Sequence, residues 1–188
     1  MKISSGKVWG NKQSFHCLKI GCILVLALNL YGCQGVDNER IPNMVVNISL
    51  ADAGVWNTYG VAGFGSHRYF IFNGTGNSQP SGFRYTSKSA TGFGGVLLIE
   101  GLDPYNNLGA YPLAYDLACP VERRADIRVQ IDPENYVAFC PQCGSIYDVT
   151  MAAGAPIGGE AATGKYKYAL KMYRVIPSGS GGYYIANQ

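Results

Sequence analysis

"FCPQCGSIYDV", residues 139–149, carries two cysteines three positions apart, followed by Gly-Ser-x-Tyr-Asp. Thiols at this spacing hold a metal, close a disulfide, or mark a site whose original chemistry has been replaced. Cys119 is the other cysteine of the C-terminal half; Cys17, Cys22 and Cys33 all lie near the start. Compartment decides between these uses, because disulfides persist only where the surroundings are oxidising.

The start of the chain speaks to compartment. Lys2, Lys7, Lys12 and Lys19 are basic, and no acid precedes Asp37. An apolar run, "IGCILVLALNL" (20–30), follows and ends in Leu30-Tyr31-Gly32-Cys33. The run is short for a membrane span, and a basic–apolar–small order is that of a targeting segment. Its end resembles the bacterial lipobox, which implies that 1–32 is a lipoprotein signal peptide and Cys33 the lipidated mature N-terminus. Residues 33–42 then read as a polar tether, and 43–188 as the folded domain. The resemblance places the protein in the cell envelope, lipid-anchored to a bacterial outer membrane. After Cys33, eleven basic residues face twelve acidic ones. The basic balance of the whole chain therefore belongs to the signal segment, and no nucleic-acid-binding footprint remains.

Beyond Cys33 the chain is rich in Gly and Tyr, sparse in charge, and shows no helical stripe. Predicted strands are 43–50, 67–74 (ending at Asn73-Gly74), the apolar run 94–102, and 113–119. A hairpin over 127–140 turns at Pro133-Glu134-Asn135, and a closing hairpin pairs 166–176 with 181–187. Residues 75–93 read as a long loop. The pattern predicts an all-β, antiparallel sandwich or barrel-like fold of short strands.

Placed at strand ends, the cysteine segments resemble the Rieske [2Fe–2S] domain family. That family joins a Cys-x-His loop to a Cys-x-x-His-Gly-Ser-x-Tyr/Phe-Asp loop, then a Gly-Pro-Ala segment and a Leu-x-x-Tyr-x-Val strand. Here Cys119-Pro120-Val121 stands at the first loop and Cys140 to Asp148 at the second. Gly159-Glu160-Ala161 falls at Gly-Pro-Ala, and Leu170, Tyr173 and Val175 match the strand. The resemblance is to degenerate Rieske-like lipoproteins of Bacteroidetes, and it implies an antiparallel β-sandwich with two cysteine-bearing loops.

The same alignment removes the cluster. A Rieske centre takes two thiolates on one iron and two imidazoles on the other, and the imidazole positions hold Val121 and Cys143. The one histidine after the signal segment, His67, lies in a predicted strand and reads as packing or surface. The expectation is therefore no cofactor. If a metal were retained, its candidate ligands would be Cys119, Cys140 and Cys143, holding an altered [2Fe–2S] cluster or zinc, with Glu122 as a conceivable fourth. Glu160, in place of the family's proline, would bring a negative charge beside the site. The resemblance further implies a Cys119–Cys140 disulfide, since the corresponding sulfurs share one iron. It would close a loop of about 20 residues, worth roughly 3 kcal/mol in the chain-entropy model. Cys119–Cys143 and Cys140–Cys143 are the competing pairs.

Catalysis is not expected. No histidine neighbours a Ser or Cys motif to act as a base, and the carboxylates are scattered. The reading is a non-catalytic scaffold or binding module, meeting an envelope protein or surface ligand through loops 75–93 and 103–112. Phe83, Tyr85, Phe93, Tyr105 and Tyr111 are candidates for that face. The alternative is a Rieske-type electron carrier with an altered cluster.

Overall fold

The computed structural model describes residues 35–72, 78–103, 109–164 and 167–187. The signal segment, Cys33, the Asn73-Gly74 turn and Tyr105 lie outside the described residues. Among those described, the fold is mostly strand, and every ladder but one is antiparallel.

The wall of the molecule is a hairpin. Strand β5 (Val96–Leu102) pairs along its full length with β6 (Ala110–Asp116). Alternate side chains of a strand point to opposite faces, and here both faces are covered. Leu97 and Ile99 enter one core, Val96 and Leu98 a second. Leu113 and Tyr115 of β6 join the first, and Ala114 the second. The continuous apolar run at 94–102 has this physical cause: a strand buried on both sides has no polar alternation.

Seven strands continue that wall in the order β3 (His67–Phe70), β5, β6, β12 (Met172–Pro177), β13 (Gly181–Ala186), β2 (Val46–Asp52), β4 (Ala90–Thr91). The sheet curls until its two edges almost meet, where the Phe72 N–H donates to Thr91 Oγ1 at 3.0 Å. It is thus a nearly closed barrel around the second core (Val46, Ile48, Leu50, Phe70, Tyr173, Ile185). The antiparallel all-β expectation holds, in the barrel-like form of its two alternatives.

A separate four-stranded sheet, ordered β10 (Ala155–Gly158), β9 (Ile146–Asp148), β8 (Val137–Phe139), β7 (Gln130–Asp132), supplies the other side of the first core. Its β7–β8 hairpin is the one expected at 127–140. Asp132 holds the turn, accepting from Glu134 N–H at 2.9 Å and from Asn135 Nδ2 at 2.7 Å.

Three local features depart from the sequence reading. A short helix, α1 (Ala53–Tyr59), follows β2, capped by Asp52 accepting the Gly54 N–H at 2.8 Å. At seven residues, none fully buried, it is too short to print an apolar stripe. The segment read as a tether is docked over its described part. β1 (Val36–Asp37) pairs in parallel with β11 (Lys167–Tyr168), Ile41 is buried, and Glu39 bonds the buried Lys171 Nζ at 3.1 Å. The aromatic face is largely packing. Phe83 is buried edge-on to Tyr59 and Phe70, and Tyr85 stacks on Phe72. The Tyr111 hydroxyl donates to Val175 O at 2.9 Å.

Barrel and first cysteine loop meet at Asp116, a fully buried carboxyl at the end of β6. It accepts the N–H groups of Phe93 (3.0 Å), Gly94 (2.9 Å) and Ala118 (2.8 Å), and the Tyr173 hydroxyl at 2.5 Å. Burial pushes this carboxyl up, while Tyr173 and the three backbone donors pull it down, burial prevailing. Gly94 permits the approach: a Cβ there would sit 2.4 Å from Ala118 N. Replacing Tyr173→Phe should destabilise the domain by about 1–3 kcal/mol, the cost of leaving a buried acceptor short of a donor. Denaturant unfolding should show a lower midpoint at unchanged slope.

Candidate metal centre

Both cysteine loops are fixed by backbone bonds that owe nothing to the sulfurs. The first follows β6. Val129 N–H bonds Leu117 O (2.8 Å), Cys119 N–H bonds Ile127 O (3.0 Å), and Arg123 N–H closes the turn on Cys119 O (2.9 Å). The second joins β8 to β9, where Cys140 N–H bonds Ser145 O (2.9 Å) and Gly144 N–H bonds Cys140 O (3.0 Å). Gly144 takes a positive φ of 66°, natural for glycine in so tight a loop.

These loops bring together all three candidate residues. The sulfurs of Cys119, Cys140 and Cys143 lie within 4.8 Å of one another, the one such gathering of His, Cys, Asp and Glu among the described residues. Cys119 and Cys140 are buried, while Cys143 is half-buried. All three stand as free thiols. Cys119 Sγ is 3.6 Å from Cys143 Sγ, so Cys143, expected to be left over, belongs fully to the group. Nothing in this arrangement favours the Cys119–Cys140 pairing over the others.

The sulfurs are ringed by donors. The backbone N–H groups of Val121 and Glu122 favour the thiolate form of Cys119, and those of Gln142 and Cys143 favour that of Cys140. The Tyr147 hydroxyl is 3.5 Å from Cys119 Sγ. Ser145 Oγ accepts the Ala161 N–H at 2.9 Å and lies 3.1 Å from Cys143 Sγ. Burial nonetheless pushes the Cys119 thiol up to about 12 against the pull of Tyr147 and those N–H groups, and raises Cys140 as well. Burial also raises Tyr147, with the Cys119 contact adding to it.

Several expected neighbours are elsewhere. The Val121 side chain is partly buried against the first core and offers no donor atom. The Glu122 carboxylate does not join the sulfurs; only its N–H does. His67 sits on β3, its ring against Tyr69 and its Nδ1 3.3 Å from Gly65 O. Glu160 opens a helical turn, α2 (Glu160–Thr163), and is exposed, so its carboxylate faces solvent and is not among the gathered ligand atoms. Ala161, fully buried, is the residue that turns inward. Gly159 makes that possible, with φ at 67° and no room for a Cβ, which would meet Gly144 O at 2.1 Å.

A two-iron cluster does not fit this donor set. It needs ligands on each of two irons, whereas the gathered donors are three sulfurs. Val121, where the resemblance expects an imidazole, has nothing to give. The chain matches no protein-family model, and no curated protein or solved structure matches it.

The sequence reading missed Asp116 and the Ala161 amide. A lone acid in the apolar stretch "LAYDLAC" was the available signal for the first. The second is a backbone group and leaves no trace in residue type. Ser145→Ala should remove the partner of the Ala161 N–H, costing about 1–3 kcal/mol. Hydrogen exchange should then show Ala161 unprotected while the amides of β5 and β6 stay slow.

Proposed function

We propose that this chain is a lipid-anchored cell-envelope protein that uses a Rieske-like domain as a non-catalytic scaffold, without the two-iron cluster of that family. One observation carries the reading. The two loops converge their cysteines as a cluster-binding pair would, yet the positions that should supply imidazoles hold Val121 and Cys143. The family assignment rests on the Gly-Ser-x-Tyr-Asp segment and its antiparallel setting, and the envelope assignment on residues 2–33. Binding of an envelope protein or surface ligand through exposed loops is the role left to such a scaffold.

Two measurements test this. The full chain, isolated anaerobically, should contain no stoichiometric iron and give no paramagnetic signal after dithionite reduction. Two irons per chain with a reduced-cluster signal would instead make it an electron carrier. Cys33→Ser should abolish incorporation of labelled palmitate and release the protein from membranes, and unchanged labelling would remove the lipoprotein reading.

A further inference from the structure

The donors around the sulfurs are more than a disulfide requires. A disulfide is neutral and gains little from hydrogen bonds, whereas a thiolate carries a full charge that charge-assisted hydrogen bonds stabilise. Here the Tyr147 hydroxyl lies 3.5 Å from Cys119 Sγ and the Ser145 hydroxyl 3.1 Å from Cys143 Sγ, while the N–H groups of Val121, Glu122, Gln142 and Cys143 favour the charged forms of Cys119 and Cys140. Such contacts orient and tune metal-bound ligands.

Spacing points the same way. Around a tetrahedral ion with metal–sulfur bonds near 2.3 Å, ligand sulfurs lie about 3.8 Å apart. The Cys119–Cys143 separation is 3.6 Å, and the third sulfur lies within 4.8 Å of both. Three sulfurs at these distances can reach one ion with small side-chain adjustment. They cannot be divided between two irons with a valine as the fourth ligand.

We infer that Cys119, Cys140 and Cys143 bind one soft d10 ion, zinc(II), through three thiolates. The inference rests on the absence of the two-iron cluster proposed above and goes beyond it, replacing a vestigial site with a working one. Zinc(II) with three thiolates leaves a residual charge of about −1, against about −2 for copper(I), and a site this buried favours the smaller. As three metal–sulfur bonds form, three thiol protons leave to solvent, and no electron is transferred. Ions enter past Cys143, the half-buried member, and a water completes the tetrahedron, as at zinc sites with three protein ligands.

The test uses the full chain, reduced with a phosphine and freed of metal under anaerobic conditions. Cobalt(II) should give an intense sulfur-to-metal charge-transfer band that saturates at one ion per chain. One equivalent of zinc(II) should remove it, and binding should protect all three thiols from alkylation. Cys143→Ser should cut the band to about two thirds. Ser145→Ala keeps every ligand and should weaken zinc binding by about 10–100-fold; it stands in if the cysteine variant fails to fold. Displacement by copper(I) but not by zinc(II) overturns the assignment of the ion. Three reduced thiols with no cobalt band overturn the site. So does a Cys119–Cys140 disulfide throughout protein isolated from the envelope without reductant. These failures leave the scaffold reading standing, whereas two irons per chain would remove both.

Discussion

A buried carboxyl is the constraint on which this structure turns. Asp116 ends the central hairpin, and its four donors come from three parts of the chain. Phe93 and Gly94 lead into β5, Ala118 immediately precedes Cys119, and Tyr173 lies on β12. Removing a carboxylate from water is costly unless its lone pairs are occupied, and here four donors share that task. Arg128 strengthens the same corner, its Nε donating to Gly94 O at 2.5 Å. The chain leaves the barrel and enters the cysteine loop at a fixed point, set by a polar lock.

From that point the rest of the centre follows by backbone geometry. The lock fixes Ala118, the bridge from Ala118 to Arg128 fixes the loop's return, and β7 carries the chain into the small sheet. That sheet packs Ala138, Tyr147 and Val149 against Leu97, Ile99, Leu113 and Tyr115 of the barrel wall. The second cysteine loop thereby lands on the first. The apolar contact holds two loops together that do not touch in sequence, and burying those side chains is a larger force than any one bond at the sulfurs.

Much of the fold was legible because its causes are local. The apolar run at 94–102 betrayed a strand buried on both faces, and Asp132-Pro133-Glu134-Asn135 betrayed a turn. The last strand, β13, lies where the sequence put it, while the stretch 166–176 is divided between β11 and β12. The helix at 53–59 was illegible, since a cap and seven residues leave too little periodicity. The docking of Glu39 and Ile41 was illegible too, because it depends on Lys171 from the far end of the chain. Within the site, residue types told which sulfurs were candidates and why Val121 could not be a ligand. They did not tell that Cys143 would lie 3.6 Å from Cys119, or that Glu160 would turn outward and Ala161 inward. Those facts depend on a positive φ at Gly159 and on the path of the loops, which residue type constrains only weakly.

This division of labour separates the geometry of the sulfurs from any metal. If the two loops were held together only by an ion, its loss would let them drift apart, as happens in small domains whose folding is metal-driven. Here the first loop is held by Asp116, by the Cys119–Ile127 bond and by the core beneath it. The second is held by its own closed turn and by Ser145 bonding to Ala161. Val121 contributes to that core and offers no donor atom. The three sulfurs are therefore gathered by backbone bonds and apolar packing, and their proximity needs no ion to hold it.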